Sequence, residues 1–239
     1  MSQDQHRVFV AVDTDDLDGA ERLAEQLNGS VAGFKVGLQL FGRHGVEAVR
    51  RIGAYGEIFL DLKFHDIPNT VAGAAASIAA LGVRWFTVHA SGGVQMMRRG
   101  VEAATAAAKE SGQPLPGALA VTVLTSHSDE ELRAIGWSEP CDRSVLRLAK
   151  LAREANVAGA VCSPLEVAAV RECFPDATLM VPGIRPTSLS VGGDDQQRVA
   201  TPASAIRDGA DLLVIGRPIT RAKDPRAAAL MIADEIAKG

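Results

Sequence analysis

Short apolar runs alternate with longer amphipathic stretches along the whole chain. Eight runs stand out, at 7–13 (RVFVAVD), 31–37, 57–64 (EIFLDLKF), 85–90 (WFTVHA), 118–125, 159–163, 178–183 and 211–216. They are nearly continuous in Val, Ile, Leu and Ala. That is the pattern of parallel strands covered on both faces, not the alternation of a half-solvated sheet. The stretches between them predict helices at 15–27, 38–52, 68–81, 93–110, 142–155, 164–174, 204–209 and 224–238. The first opens on acidic residues, and several carry Pro near the first turn, where its missing N–H costs little. Eight strand–helix units without an intervening linker predict an α/β fold, a single (β/α)8 barrel over residues 1–239. A doubly wound open sheet is the competing architecture, and the absence of GxGxxG after the first run weighs against it. The longest irregular stretch, 185–202 (RPTSLSVGGDDQQRVATP), falls between the seventh run and its helix. A loop of that length in a compact domain is either mobile or functional, and this one is the candidate lid.

Composition narrows the class of function. Hydrophobic residues make up 47% of the 239 positions and charged residues 23%, enough for a sizeable core. With 25 basic and 29 acidic residues the formal net charge is −4, which gives no reason to expect nucleic acid or an anionic membrane as partner. An anionic small molecule would need a local cluster of cations. The three cysteines, Cys141, Cys162 and Cys173, form no CxxC pair, so neither a disulfide framework nor a structural zinc site is expected. No apolar run approaches the roughly 20 residues that span a bilayer, and no apolar leader precedes the first strand. The expectation is a soluble cytoplasmic protein.

The chemistry collects where the runs end. In a (β/α)8 barrel the active site lies at the C-terminal ends of the strands. There the chain carries Asp13, Lys35, Asp61 with Lys63, His89, Thr125, Ser163, the turn from Pro182 to Arg185, and Gly216 with Arg217. Asp61 and Lys63 are two apart, so on a strand they point to one side. With Asp66 just beyond and Lys35 on the neighbouring strand they would form a network of alternating charge. The plainer reading is a rim salt bridge, with Asp66 near the start of the helix that Pro68 opens. Buried ion pairs seldom repay their desolvation in stability, however, and such a network suits a lysine poised to deliver a proton. At the seventh and eighth runs, Gly183 and Gly216 permit close backbone approach. Arg185 and Arg217 can add charge-assisted hydrogen bonds to an oxyanion, unless they are simply surface arginines beside turns. His89 reads as a hydrogen-bonded core histidine. Asp61, His65 and Asp66 match no strong metal-binding spacing, so no metal is expected.

The stretch DLKFHDIPNT, Asp61 to Thr70, resembles the DxKxxDIPNT signature of the orotidine 5′-phosphate decarboxylase family. The similarity runs through VAVD, FKVGLQLF, TVHASGG, VTVLTS, VPGIRP, DDQQRVATP and VIGRPIT, and so spans the chain. The resemblance implies decarboxylation of orotidine 5′-phosphate to UMP without metal or other cofactor, by a homodimer with shared active sites. It implies Lys63 as the proton donor to C6 of the pyrimidine, Asp61 beside the departing carboxylate, and Lys35 and Asp66 completing the array, Asp66 from the partner subunit. Asp13 and Lys35 would hold ribose hydroxyls. Ile67 and Thr70 would reach across the dimer interface, and Thr125 and Ser126 would lie near the pyrimidine. Pro182 would pack on the base, with Arg185, Gln196, Gly216 and Arg217 gripping the phosphate. Magnesium-dependent sugar-phosphate decarboxylases or aldolases of the same superfamily are the alternative. They keep a similar core but tend to have an acidic residue at the position of Lys35. A non-catalytic nucleotide-binding relative is a third reading.

Overall fold

In a computed structural model, residues 7–186 and 199–238 are described. The strands are β1 (Val8–Ala11), β2 (Gly33–Gly37), β3 (Glu57–Phe64), β4 (Trp85–His89), β5 (Gly117–Val121), β6 (Gly159–Val161), β7 (Thr178–Val181) and β8 (Leu212–Ile215). The helices are α1 (Leu17–Leu27), α2 (Leu38–His44), α3 (Val46–Gly53), α4 (Pro68–Ala79), α5 (Gly93–Glu110), α6 (Asp129–Ala134), α7 (Cys141–Glu154), α8 (Val167–Cys173), α9 (Pro202–Arg207), α10 (Arg217–Thr220) and α11 (Pro225–Lys238). The strands pair in parallel in chain order, and β8 returns to β1 with Val8 opposite Leu213, closing the barrel. Closure removes the open-sheet alternative and gives the expected (β/α)8 architecture.

Both faces of the strands are buried, as their continuous apolar character requires. Val8, Val10, Phe34, Val36, Leu60, Phe86 and Val88 face outward into the layer between strands and helices. Phe9, Phe59, Trp85, Leu119, Met180 and Val214 point inward and fill the barrel. Phe9 and Phe59 meet edge to face with ring centroids 6.2 Å apart, a favoured aromatic geometry. This plug precedes the polar residues on each strand, so it forms a dry floor under the C-terminal mouth. Barrel closure also demands small residues. A Cβ at Gly33 would collide with the Glu57 carbonyl of β3, and one at Gly159 with the Thr178 carbonyl of β7.

The helices depart from the expected boundaries for local reasons. The segment 38–52 divides at Gly45, whose φ of 57° is left-handed and ends α2 before α3 begins. The segment 164–174 starts as a single 3-10 turn, Pro164–Glu166, before α8. Helix α9 begins earlier than expected, at Pro202, because the Thr201 side chain caps it. Two helices were not expected. The first, α6, follows a capping box between Ser128 and Glu131, a signal present in the sequence as SDEE. The second, α10, is one turn directly after β8. Among the described residues, no helix is long and apolar enough to cross a membrane.

Candidate active site

A row of alternating charge lies across the mouths of the first three strands. Register pairs Lys35 with Ala11 and Phe59 and pairs Asp61 with Gly37, so Lys35 starts two residues deeper and its long side chain reaches Asp13 and Asp61. Lys35 Nζ donates to Asp13 Oδ1 at 2.8 Å and lies 3.9 Å from Asp61 Oδ2. Lys63 Nζ donates to the same Asp61 Oδ2 at 2.8 Å. The Lys35 and Asp61 side chains are only 12% and 13% exposed, so their attraction is weakly screened. Gly37 leaves room for the array, since a Cβ there would stand 3.0 Å from both Lys35 Nζ and Asp13 Oδ1.

Strand β3 is irregular at Asp61 and Lys63. Leu60 pairs with Phe86 and Phe64 with Val88, so Asp61, Leu62 and Lys63 together oppose Thr87 alone. Lys63 has φ 51°, a left-handed conformation costing an L-residue roughly 1–2 kcal/mol. Inward–outward alternation survives: Leu62 and Phe64 pack toward the helices, while Asp61 and Lys63 face the mouth. The Lys63 N–H donates to Thr87 Oγ1 at 2.8 Å, and that hydroxyl donates to Asp61 Oδ1 at 3.0 Å.

These groups line a cavity of about 680 Å³ at the barrel mouth, which is large enough for a nucleotide-sized ligand. Of the residues singled out from sequence, Asp13, Lys35, Asp61, Lys63, Thr125, Pro182, Arg185, Gly216 and Arg217 line it. Strand β7 is four positions from β3 in an eight-strand ring, so Pro182 and Arg185 lie across the mouth from Lys63. The ends of the 185–202 loop return to one another: Arg185 N–H donates to Ala200 O at 2.8 Å, and Ala200 N–H to Gly183 O at 3.3 Å. Gln196 and most of the expected lid lie outside the described residues. Sequence reasoning overlooked Thr14, Thr220 and Arg221, which also line the cavity. Arg221 is four residues after Arg217 and its N–H donates to the Arg217 carbonyl, a helical spacing that puts both on one face.

Four described residues expected to contact substrate do not line this cavity, nor do His89 and Ser163 at their strand ends. Ser126 is exposed beyond β5. Asp66, Ile67 and Thr70 are exposed at the junction of β3 and α4, where the Asp66 carboxylate accepts the Ile67 N–H at 2.6 Å. Ile67 is 67% exposed, a large apolar side chain left in solvent by the single chain. Beside Lys63 stands a histidine group. His65 and His89 have ring centroids 5.3 Å apart. Burial, with His65 and Lys63 nearby, pushes the His89 imidazole down to about 4, so it is neutral at pH 7.

Comparison with known proteins bears on what this geometry serves. Residues 6–232 match the family model described as Orotidine 5′-phosphate decarboxylase / HUMPS family. The chain is 49% identical to the orotidine 5′-phosphate decarboxylase of Geobacter sulfurreducens, covering all of both proteins. It is 51% identical to that of Halorhodospira halophila, over 97% of this chain and 96% of the relative. The crystal structure of orotidine 5′-phosphate decarboxylase from Lactobacillus acidophilus superposes with a TM-score of 0.85 at 39% identity, over 96% of this chain and 98% of the other. Across its whole length and in its barrel architecture, the chain belongs to the orotidine 5′-phosphate decarboxylase / HUMPS family.

Proposed function

We propose that this chain is a carboxy-lyase that converts orotidine 5′-phosphate to UMP and CO2 in pyrimidine biosynthesis, with Lys63 protonating C6 and no cofactor taking part. The observation that carries this reading is the pairing of Lys63 with Asp61 inside one cavity whose far side holds Arg185 and Arg217.

Loss of CO2 from C6 leaves the electron pair of the broken C–C bond in the plane of the ring, where no π system can spread it. A preorganised ammonium is the remedy available to side chains. Lys63 attracts the developing charge. It then transfers one Nζ proton to C6, and the former N–H electron pair stays on nitrogen. Asp61 orients Lys63 and lies beside the departing carboxylate. Lys35 is held between Asp13 and Asp61, and with Asp13 meets the ribose hydroxyls. Pro182 packs on the base, and Thr125 and Ser126 approach the pyrimidine. Arg185, Gln196, Gly216 and Arg217 bind the phosphate. The donor set supports cofactor independence: Asp61, the carboxylate a divalent cation would need, already faces two ammonium groups.

The exposed Asp66, Ile67 and Thr70 are assigned to the neighbouring active site of a cytoplasmic homodimer. Mixing Lys63→Ala subunits with Asp66→Asn subunits should then restore activity above that of either variant alone, because one of the two mixed sites is intact. The primary test is to incubate the purified protein with orotidine 5′-phosphate and EDTA and to follow loss of substrate absorbance. An unchanged spectrum with folded protein rejects the proposed activity.

A further inference from the structure

Thr87 lies one strand away from the charged row and does not line the cavity. It is 1% exposed, in the middle of β4, facing the barrel interior like Trp85 two residues before it. We propose that Thr87 is a positioning residue for the reaction, its hydroxyl fixing both the left-handed backbone of Lys63 and the rotamer of Asp61. The inference rests on the function proposed above and concerns a residue that touches no substrate.

The direction of each hydrogen bond is forced. A backbone N–H can only donate, so at 2.8 Å the Thr87 oxygen accepts from Lys63. Its single proton is then left for Asp61 Oδ1, 3.0 Å away, an acceptor-only group when ionised. Asp61 Oδ2 meanwhile accepts from Lys63 Nζ. The result is a closed ring: Thr87 hydroxyl to Asp61, Asp61 to the Lys63 ammonium, and Lys63 backbone to the Thr87 hydroxyl. Lys63 is held at both ends of its side chain and Asp61 at both carboxylate oxygens.

The bulge explains why a hydroxyl is needed there. Three residues of β3 oppose Thr87, and ladder pairing does not resume until Phe64 meets Val88. The Lys63 N–H must find another acceptor, and a φ of 51° persists only where the surroundings over-determine it. Thr122 provides the contrast. It is similarly buried, at 2%, but its hydroxyl donates only to the Val161 carbonyl of β6 and reaches no charged group.

Thr87→Val keeps shape and strand preference and removes both hydrogen bonds. The expected result is a fall in kcat of about 100-fold, the scale of an ångström-level misplacement of a reacting group. The Kd for UMP should stay within about threefold of the parent value, since uniform binding is untouched. Thr87→Ser, which restores the hydroxyl, should recover most of the loss, and Thr122→Val should leave turnover unchanged. Melting temperatures, measured alongside, identify any variant that does not fold. Near-parental kcat in Thr87→Val overturns the proposal, as does a matched loss of UMP binding, or a Thr87→Ser variant as impaired as Thr87→Val. If Thr87→Val does not fold, Thr87→Ser and Thr87→Cys carry the comparison: the hydroxyl variant must outperform the thiol, and equal turnover overturns the proposal. An active parent with an unimpaired variant removes this role alone, whereas a parent inactive on orotidine 5′-phosphate removes the proposed function and this role with it.

Discussion

Replacing Asp61 by Asn removes one negative charge and one of two acceptor oxygens at nearly constant volume. If the amide oxygen still accepts from Thr87, the amide NH2 stands where Oδ2 was and meets the Lys63 ammonium donor to donor. What disappears is the anion between two cations, with Lys63 Nζ at 2.8 Å and Lys35 Nζ at 3.9 Å. At an effective dielectric of about 20 those separations correspond to about 6 and about 4 kcal/mol of gross attraction. Desolvation of the buried carboxylate offsets much of this, and removing one partner of a buried pair costs about 3–5 kcal/mol net. If that loss falls on the array that stabilises the transition state, each 1.36 kcal/mol is about tenfold, so kcat should drop by about 10²- to 10⁴-fold. The assay is loss of orotidine 5′-phosphate absorbance under saturating substrate, with UMP affinity by calorimetry and folding by circular dichroism in parallel. UMP carries no C6 carboxylate, so its affinity should change little. A kcat within tenfold of the parent, in a folded variant that binds UMP, would refute the electrostatic role given to Asp61.

Other outcomes follow from the same geometry. Lys63→Ala should lower turnover by at least about 10³-fold, within the range supplied by positioned general acids, while UMP still binds; substantial residual activity would contradict its role as acid. Arg217→Ala should raise KM by about 10- to 100-fold, the loss expected for hydrogen bonds to a charged group, and unchanged kinetics would remove Arg217 from the phosphate site. His89 supplies a pH prediction. Its folded-state value of about 4 lies below the ordinary 6.5, so between those values the unfolded chain binds more protons. Stability is therefore fully present above about pH 6.5, falls as pH drops toward 4, and loses nothing further below it. The groups facing His89 are His65, Lys63, Asp61 and His127. Melting temperature should fall less from pH 7 to pH 4.5 in His89→Asn than in the parent, and identical slopes would show that His89 titrates normally.

Much of this was readable in one dimension because each layer of the barrel writes a local pattern. Strands buried on both faces must be continuously apolar, so all eight appeared as runs, and inward charges at their ends stood out against that background. Helix 93–110 matched its sequence pattern end to end, whereas 38–52 was read through Gly45, whose left-handed φ leaves no mark in hydrophobic periodicity. The short α10 was missed because four residues carry no period, and Arg221 went unnoticed with it.

The sequence by itself determined the alternation of strands and helices, the set of charged residues at the strand ends, and the signature from Asp61 to Thr70. Tertiary structure alone decided how those charges meet. Parallel pairing of the first three strands brought Asp13, Lys35 and Asp61, far apart in sequence, within reach of one another, with Lys35 rising from two residues deeper to lie between the carboxylates. A bulge, visible only as a register shift against β4, turned Lys63 into a left-handed conformation and enlisted Thr87, a residue that in sequence reads as an ordinary buried strand threonine. The physical reason is that apolar periodicity is set by what each residue faces, and so is recorded locally, whereas hydrogen-bond partners and charge separations are set by register between strands, which no single segment records.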